Sequence, residues 1–200
     1  MSKINAICVY CGSSPGTDPA FVETARGFGK ILAEKGVRLV YGGGSVGLMG
    51  AVAEAVMEHG GQVIGIIPEF LTRREQPKRL CQELIITRDM HERKRKMFEY
   101  ADAFVALPGG IGTLEEVVEQ LTWAQLGQHK KPILLANING YWDPLLSLIA
   151  HMRKQEFLWA TPRVDCHVAN RVEDILPKLL EASRDVTEGE KQMAVPTARM

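Results

Sequence analysis

The chain has 200 residues, which is enough for one domain with a substantial hydrophobic core. Basic and acidic residues number 24 each, so no global field favours binding to nucleic acid or a membrane surface. Hydrophobic residues make up 46%, yet no apolar run approaches the roughly 20 residues that span a bilayer. Residues Met1–Ile4 lead almost directly into a strand pattern without the apolar stretch of a signal peptide, and we expect a cytoplasmic protein.

Strand and helix patterns alternate along the chain. The predicted strands are Ile4–Cys11, Val37–Tyr41, Gln62–Ile67, Leu84–Thr87, Ala103–Leu107, Pro132–Asn137 and Val164–Val168. The predicted helices are Pro19–Lys35, Leu48–His59, Met90–Ala101, Thr113–Leu126, Pro144–Lys154 and Val172–Ser183. Only a polar segment, Glu69–Gln82, interrupts the alternation. Strands rich in Val, Ile and Leu, separated by helices, indicate a mostly parallel sheet covered on both faces. We therefore expect a single doubly wound α/β domain over residues 1–184, followed by a flexible tail at 185–200.

Two of the four cysteines form a C-x-x-C pattern, which can indicate redox chemistry or half of a metal site. Cys8 and Cys11 lie on a predicted strand, where residues three apart face opposite sides. Cys81 and Cys166 are isolated and do not complete a zinc site. We expect ordinary core cysteines and no metal.

Three glycine-rich turns follow predicted strands, at Gly12–Gly16, Gly42–Gly50 and Pro108–Gly112. Parallel strands bring such turns to one edge of a sheet, where ligands bind. The second turn matches G-x-G-x-x-G, with Glu69 some distance beyond it, but it follows the second strand rather than the first. One mononucleotide contacted by all three turns is therefore favoured over a dinucleotide.

The turn at Pro108 is the most informative, because it joins a buried strand to an amphipathic helix. Glycines let the backbone approach a phosphate, and the first helical N–H groups have no partner within the helix. Glu115 and Glu116 would follow in the first turns. Thr113-x-x-Glu116 is also a capping box, in which the glutamate returns to the N-cap amide. Both interpretations stay open, since one carboxylate can cap while the other takes part in chemistry.

A second charged cluster, Asp89–Met97, begins the helix that precedes this strand. His91-Glu92 resembles the start of H-E-x-x-H, but position 95 is arginine, which excludes that zinc motif. An arginine at this helix start could hold a phosphate or polarise a leaving group, whereas a bare charge run is usually a solvated face. The basic segment at residues 73–79 is expected to form a loop over the same edge.

The motif P-G-G-x-G-T-x-x-E at Pro108–Glu116, together with Met90–Lys94, resembles the LOG ("Lonely guy") family. These proteins are cytokinin riboside 5′-monophosphate phosphoribohydrolases, often mislabelled as lysine decarboxylases, and no pyridoxal-binding lysine motif is visible here. The resemblance covers residues 4–180. It implies a Rossmann-like fold, a homodimer without cofactor, and hydrolysis of AMP or an N6-modified AMP such as isopentenyl-AMP to free base and ribose 5-phosphate.

By position, the resemblance implies Arg93 and Glu116 as the catalytic pair, with Lys94 beside the arginine. Further implied substrate contacts are Ser13, Gly43, Glu75, Gly109, Gly110, Gly112, Thr113, Glu115 and Thr122. Two alternatives are a non-catalytic nucleotide or molybdenum-cofactor carrier and an AMP nucleosidase without a cytokinin role. The presence of both Arg93 and Glu116 favours an enzyme.

Overall fold

A computed structural model describes residues 4–75, 80–158 and 166–193, leaving out the side chains of residues 73–75 and 185–193. The strands are β1 Ala6–Tyr10, β2 Arg38–Tyr41, β3 Val63–Pro68, β4 Glu83–Thr87, β5 Ala103–Ala106, β6 Ile133–Ala136 and β7 Cys166–Ala169. The helices are α1 Pro19–Glu34, α2 Gly47–Glu58, α3 Glu69–Glu75, α4 Met90–Glu99, α5 Ile111–Gln125, α6 Asp143–Lys154 and α7 Ile175–Met193. None of the helices in the described ranges is both long and apolar enough to cross a membrane.

The seven strands form one sheet in the order β4-β3-β2-β1-β5-β6-β7, and every neighbouring pair is parallel. The chain winds outward from β1 to β4 and then returns to the other side of β1 as β5. The winding direction therefore reverses between β1 and β5, which is where open α/β sheets bind ligands. The predicted Rossmann-like, doubly wound fold is confirmed.

The core has two layers, one on each face of the sheet. Helices α1, α2 and α7 cover the face that carries Ile7 and Val9, while α4, α5 and α6 cover the face that carries Cys8 and Tyr10. Cys11 packs in the first layer, so the two cysteines of C-x-x-C lie on opposite sides, as predicted. Burial raises the pKa of both thiols well above the ordinary range.

Several elements differ from the prediction, most clearly α3 and the end of α7. Helix α3 occupies residues 69–75, so residues 73–75 of the expected loop are helical, and residues 76–79 lie outside the described residues. A seven-residue helix is too short to show a repeated apolar pattern. Helix α7 continues beyond the predicted end at Ser183 to Met193. Glu, Lys, Gln and Met have high helix propensity and extend a helix once it has formed. Residues 194–200 lie outside the described residues, and the domain boundary at residue 184 stays a prediction.

Candidate active site

The three glycine turns meet around a cavity of about 280 Å³ at the carboxyl ends of β1, β2 and β5. Gly12 and Ser13 come from the first turn, Gly42 from the second, and Gly110–Thr113 from the third. The amide of Gly12 donates to the carbonyl of Pro108 at 3.0 Å, which joins the first turn to the third across the point of reversal. The predicted convergence of the turns is confirmed.

The N-terminus of α5 forms an anion cradle on this cavity. Gly110 is the N-cap, and the first intrahelical bond runs from the amide of Leu114 to the carbonyl of Gly110 at 3.0 Å. The amides of residues 111–113 therefore have no partner within the helix and are available to an anion. A Cβ added to Gly110 or Gly112 would meet nothing within 4 Å, so the approach to this backbone is open. The dipole of a fifteen-residue helix also favours negative charge here.

Arg93 lines the same cavity as this cradle and is held in place by backbone carbonyls. Asp89 caps α4 by accepting from the amide of Glu92 at 2.8 Å, which places Arg93 in the first turns of the helix. Its Nε donates to the carbonyl of Ile66 at 3.1 Å, and its Nη2 donates to the carbonyl of Gly42 at 3.4 Å. A Cβ on Gly42 would collide with this Nη2, so glycine is needed for the guanidinium to lie there. The side chain is only 9% exposed, so it is not part of a solvated face.

Glu116 faces the same guanidinium. Its Oε1 lies 3.6 Å from Arg93 Nη1, and its side chain is 11% exposed. Helix α5 begins at Ile111, two residues earlier than predicted, so Thr113 lies inside the helix and cannot be its N-cap. The capping-box interpretation of Thr113 and Glu116 is therefore wrong. Gly110 is the N-cap instead, with no side-chain hydrogen bond to the helix.

Lys94 does not line the cavity. Its Nζ lies 2.6 Å from Glu115 Oε1 and 2.8 Å from Glu119 Oε1. Burial by itself would lower the pKa of Lys94, but the hydrogen bonds and charges of the two glutamates outweigh it, and the pKa is raised. This ion-pair cluster joins α4 to α5 and thereby fixes the helix that carries Arg93 relative to the helix that carries Glu116.

The other implied substrate contacts fall into three groups. Those that line the cavity are Ser13, Gly110, Gly112, Thr113 and Glu115. Those nearby but outside it are Gly109, in an adjacent cavity, and Gly43, which has φ +78° and packs against Ile67. Thr122 lies elsewhere, in a separate groove, where its Oγ1 donates to the carbonyl of Val118 at 2.7 Å. The side chain of Glu75 lies outside the described atoms, so Glu75 belongs to none of these groups.

Sequence reasoning missed Tyr10 and three methionines, Met49, Met90 and Met97, which form the apolar part of the cavity wall. Burial raises the pKa of Tyr10, and the nearby charge of Glu116 adds to this increase, so its hydroxyl stays protonated. The position of Tyr10 as the last residue of β1 was the available signal, because ligands bind beyond strand ends. Within the described ranges, no three His, Cys, Asp or Glu side chains come together as possible metal ligands.

A parallel sheet with an anion cradle and a buried Arg–Glu pair at its point of reversal defines a Rossmann-like protein with a site suited to a phosphorylated small molecule. The sequence model of the family described as "possible lysine decarboxylase" matches residues 49–179. The chain belongs to this family, which includes the LOG proteins.

Curated relatives share this sequence closely. The rice cytokinin riboside 5′-monophosphate phosphoribohydrolase LOG is 53% identical over 148 residues, which is 74% of this chain and 61% of that protein. The Arabidopsis thaliana enzymes LOG3 and LOG7 are 46% and 43% identical, over 90% and 100% of this chain and 84% and 88% of their own lengths.

Solved structures of molybdenum cofactor proteins share the fold. The carrier protein from Chlamydomonas reinhardtii is 22% identical with a TM-score of 0.69, covering 92% of this chain and 99% of its own. The binding protein from Rippkaea orientalis is 23% identical with a TM-score of 0.67, covering 90% of this chain and 98% of its own. At these identities the likeness concerns the fold alone.

Proposed function

We propose that this protein hydrolyses the N-glycosidic bond of adenosine 5′-monophosphates, with or without an N6 substituent, to release free base and ribose 5-phosphate. The observation that carries the proposal is the buried pair of Arg93 and Glu116, 3.6 Å apart, on the same cavity as the free amides of α5. The relatives named as phosphoribohydrolases support the same reaction. AMP and isopentenyl-AMP are the proposed substrates.

The 5′-phosphate would bind at the N-terminus of α5. The amides of residues 111–113 offer donors, and the positive end of the helix dipole favours a dianion. Phosphate binding there would hold the ribose near Glu116 and convert part of the binding energy into orientation of the bond to be broken. A nucleoside without phosphate lacks this anchor.

Glu116 and Arg93 would divide the work of bond cleavage. As the bond between the ribose C1′ and the base nitrogen breaks, its electron pair leaves with the base and C1′ becomes oxocarbenium-like. The carboxylate of Glu116 would stabilise that positive charge and accept a proton from the water that attacks C1′. The guanidinium of Arg93 would stabilise the electron-rich departing base, which then takes up a proton.

We infer that two copies associate through an apolar groove between α5 and α6. Val118 and Leu148 line this groove and are 44% and 49% exposed. The homodimer was implied by the family resemblance. On the same helix α5, Leu126 is 54% exposed, whereas Trp123 packs edge-on against Phe98 at 5.3 Å. An exposed apolar surface of this kind supports a protein–protein contact.

The function is tested by incubating the purified protein with AMP, isopentenyl-AMP and adenosine, and measuring released base and ribose 5-phosphate by chromatography. We expect both monophosphates to be cleaved and adenosine to be almost untouched. The ratio of kcat/KM for the two monophosphates measures the preference for an N6 substituent. Tight AMP binding without base release would support a carrier, and equal kcat/KM for AMP and adenosine would contradict the role of the phosphate cradle.

A further inference from the structure

Two consecutive aromatic residues of the loop after β6 hydrogen-bond to the turn after β5. The hydroxyl of Tyr141 donates to the carbonyl of Gly109 at 2.6 Å. The indole Nε1 of Trp142 donates to the carbonyl of Ala106 at 3.3 Å. These two bonds hold the beginning and the middle of the segment that leads into the anion cradle.

The bond from Tyr141 determines which way one peptide unit points. In a planar trans peptide, the carbonyl of Gly109 and the amide N–H of Gly110 point in opposite directions. Because Tyr141 holds the carbonyl on its own side, the amide of Gly110 is directed away from Tyr141. Gly110 lines the cavity, whereas Tyr141 does not. A rotated peptide would instead present a carbonyl oxygen to the phosphate and repel it.

The sequence makes such a rotation sterically easy. Gly110 has φ −86°, and turning the peptide over moves this angle to positive values, which glycine adopts without a Cβ penalty. A Cβ at position 110 would meet nothing within 4 Å, so alanine can be placed there at the present φ without a steric clash. The glycines leave the backbone open to an anion. For the same reason, another group must determine whether the Gly109–Gly110 peptide presents its N–H or its carbonyl oxygen.

We propose that Tyr141 is a positioning residue that fixes the orientation of the Gly109–Gly110 peptide and so presents the amide of Gly110 to the substrate phosphate. This inference rests on the proposed function and adds a residue outside the catalytic pair to it. The loop that carries Tyr141 is itself held by two further contacts. The amide of Trp142 donates to Asn137 Oδ1 at 2.7 Å, and the Tyr141 ring meets the edge of Phe21 at 5.4 Å.

The test compares Tyr141→Phe with the unmodified protein by calorimetric titration with ribose 5-phosphate and, separately, with adenine. Loss of one hydrogen bond of ordinary strength predicts that Kd for ribose 5-phosphate rises on the order of five- to tenfold. Kd for adenine should stay the same, because the proposed function places the phosphate, and not the base, at this peptide. Tyr100→Phe is the matched control, since both tyrosines are 37% exposed and Tyr100 lies at the far end of α4.

A double-mutant cycle with Gly110→Ala isolates the peptide rotation. Alanine disfavours positive φ, so the rotated state is suppressed and Tyr141→Phe should then change Kd for ribose 5-phosphate by less than about twofold. An equal effect of Tyr141→Phe in both backgrounds, or equal weakening of adenine and ribose 5-phosphate binding, would overturn the inference. An unchanged Kd in Tyr141→Phe, in a protein that cleaves AMP, would overturn it and leave the function standing. A protein that neither binds ribose 5-phosphate nor cleaves AMP would overturn both.

Discussion

Arg93 and Glu116 lie 3.6 Å apart, on α4 and α5, and each side chain is about nine-tenths buried. The arginine is additionally bonded to the carbonyls of Ile66 and Gly42, so its position does not depend on the glutamate alone. The two members of the pair can therefore be altered separately, with different consequences for folding and for turnover.

Glu116→Gln should separate chemistry from folding. Glutamine keeps the shape of the side chain but can neither accept a proton from water nor stabilise an oxocarbenium ion with negative charge. We expect an unchanged Tm, retained AMP binding and a loss on the order of a hundredfold or more in kcat. Glu99→Gln is the control, because Glu99 is a 54% exposed glutamate on α4. Full activity of Glu116→Gln would assign the catalytic carboxylate elsewhere, with Glu115 the first candidate.

Arg93→Ala should reduce both turnover and stability. Removing the guanidinium leaves two carbonyls and the Glu116 carboxylate buried without this partner, which costs on the order of 2–4 kcal/mol. Arg93→Lys keeps the positive charge but not the planar geometry of the guanidinium. We expect a higher Tm than that of Arg93→Ala, with poor turnover. Thermal denaturation and base release measure the two effects. Wild-type kcat in Arg93→Lys would show that charge alone is sufficient.

Lys94→Met should mainly affect stability, because Lys94 contacts Glu115 and Glu119. Loss of about 1 kcal/mol would lower Tm by about 2–4 °C in a domain of this size. The pKa of Lys94 is higher in the folded chain, so its contribution is complete below the unfolded pKa of about 10.4 and is lost as pH rises through the folded value. The difference in Tm between variant and wild type should therefore shrink as the pH rises through the folded pKa of Lys94. A large rise in KM for AMP at unchanged Tm would instead favour the direct substrate contact that the family resemblance implies.

The two thiols of C-x-x-C should take no part in redox or zinc chemistry. Both are buried on opposite faces of the sheet, and burial keeps their pKa high, so they stay protonated and react slowly with iodoacetamide at neutral pH. Cys8→Ala with Cys11→Ala should lower Tm, while turnover stays independent of dithiothreitol and added zinc. Activity that required either reagent would contradict this.

Light scattering should detect a homodimer at micromolar concentration. The double variant Val118→Asp, Leu148→Asp would place two negative charges in the proposed contact. We expect it to be a folded monomer. Phe70→Asp is the control, because Phe70 is 59% exposed on α3 and lies outside the groove. A wild-type monomer would rule out the proposed association.

The sequence predicted the sheet and the location of the site because both depend on local patterns. Val-rich strands and glycine turns such as Pro108–Gly112 are visible in a few consecutive residues, and parallel topology then brings the turns together. The cap at Gly110 was missed because Thr113 offered a familiar side-chain cap, whereas the helix begins with a glycine that has no side chain. Helix starts of this kind leave no local signal.

The pairing of side chains could not be predicted, because it depends on distance between elements. By its spacing alone Arg93 could be one of several solvated charges or a phosphate ligand, and the family resemblance, not the spacing, pairs it with Glu116. The structure adds that the carbonyls of Ile66 and Gly42 bind its guanidinium. Lys94 is adjacent in sequence but points to α5 instead of the cavity. Arg93 and Lys94 are neighbours on one helix, yet one lines the cavity and the other joins α4 to α5. The order of residues in the sequence does not distinguish these two positions.

A Cβ at position 42 would collide with Nη2 of Arg93, so the glycine leaves room for that guanidinium. In dinucleotide-binding proteins, the glycines of G-x-G-x-x-G leave room for a pyrophosphate to approach the backbone. Here the space above Gly42 is filled by the protein's own guanidinium. The glycine at position 42 of this fingerprint-like sequence therefore accommodates a side chain of the protein itself.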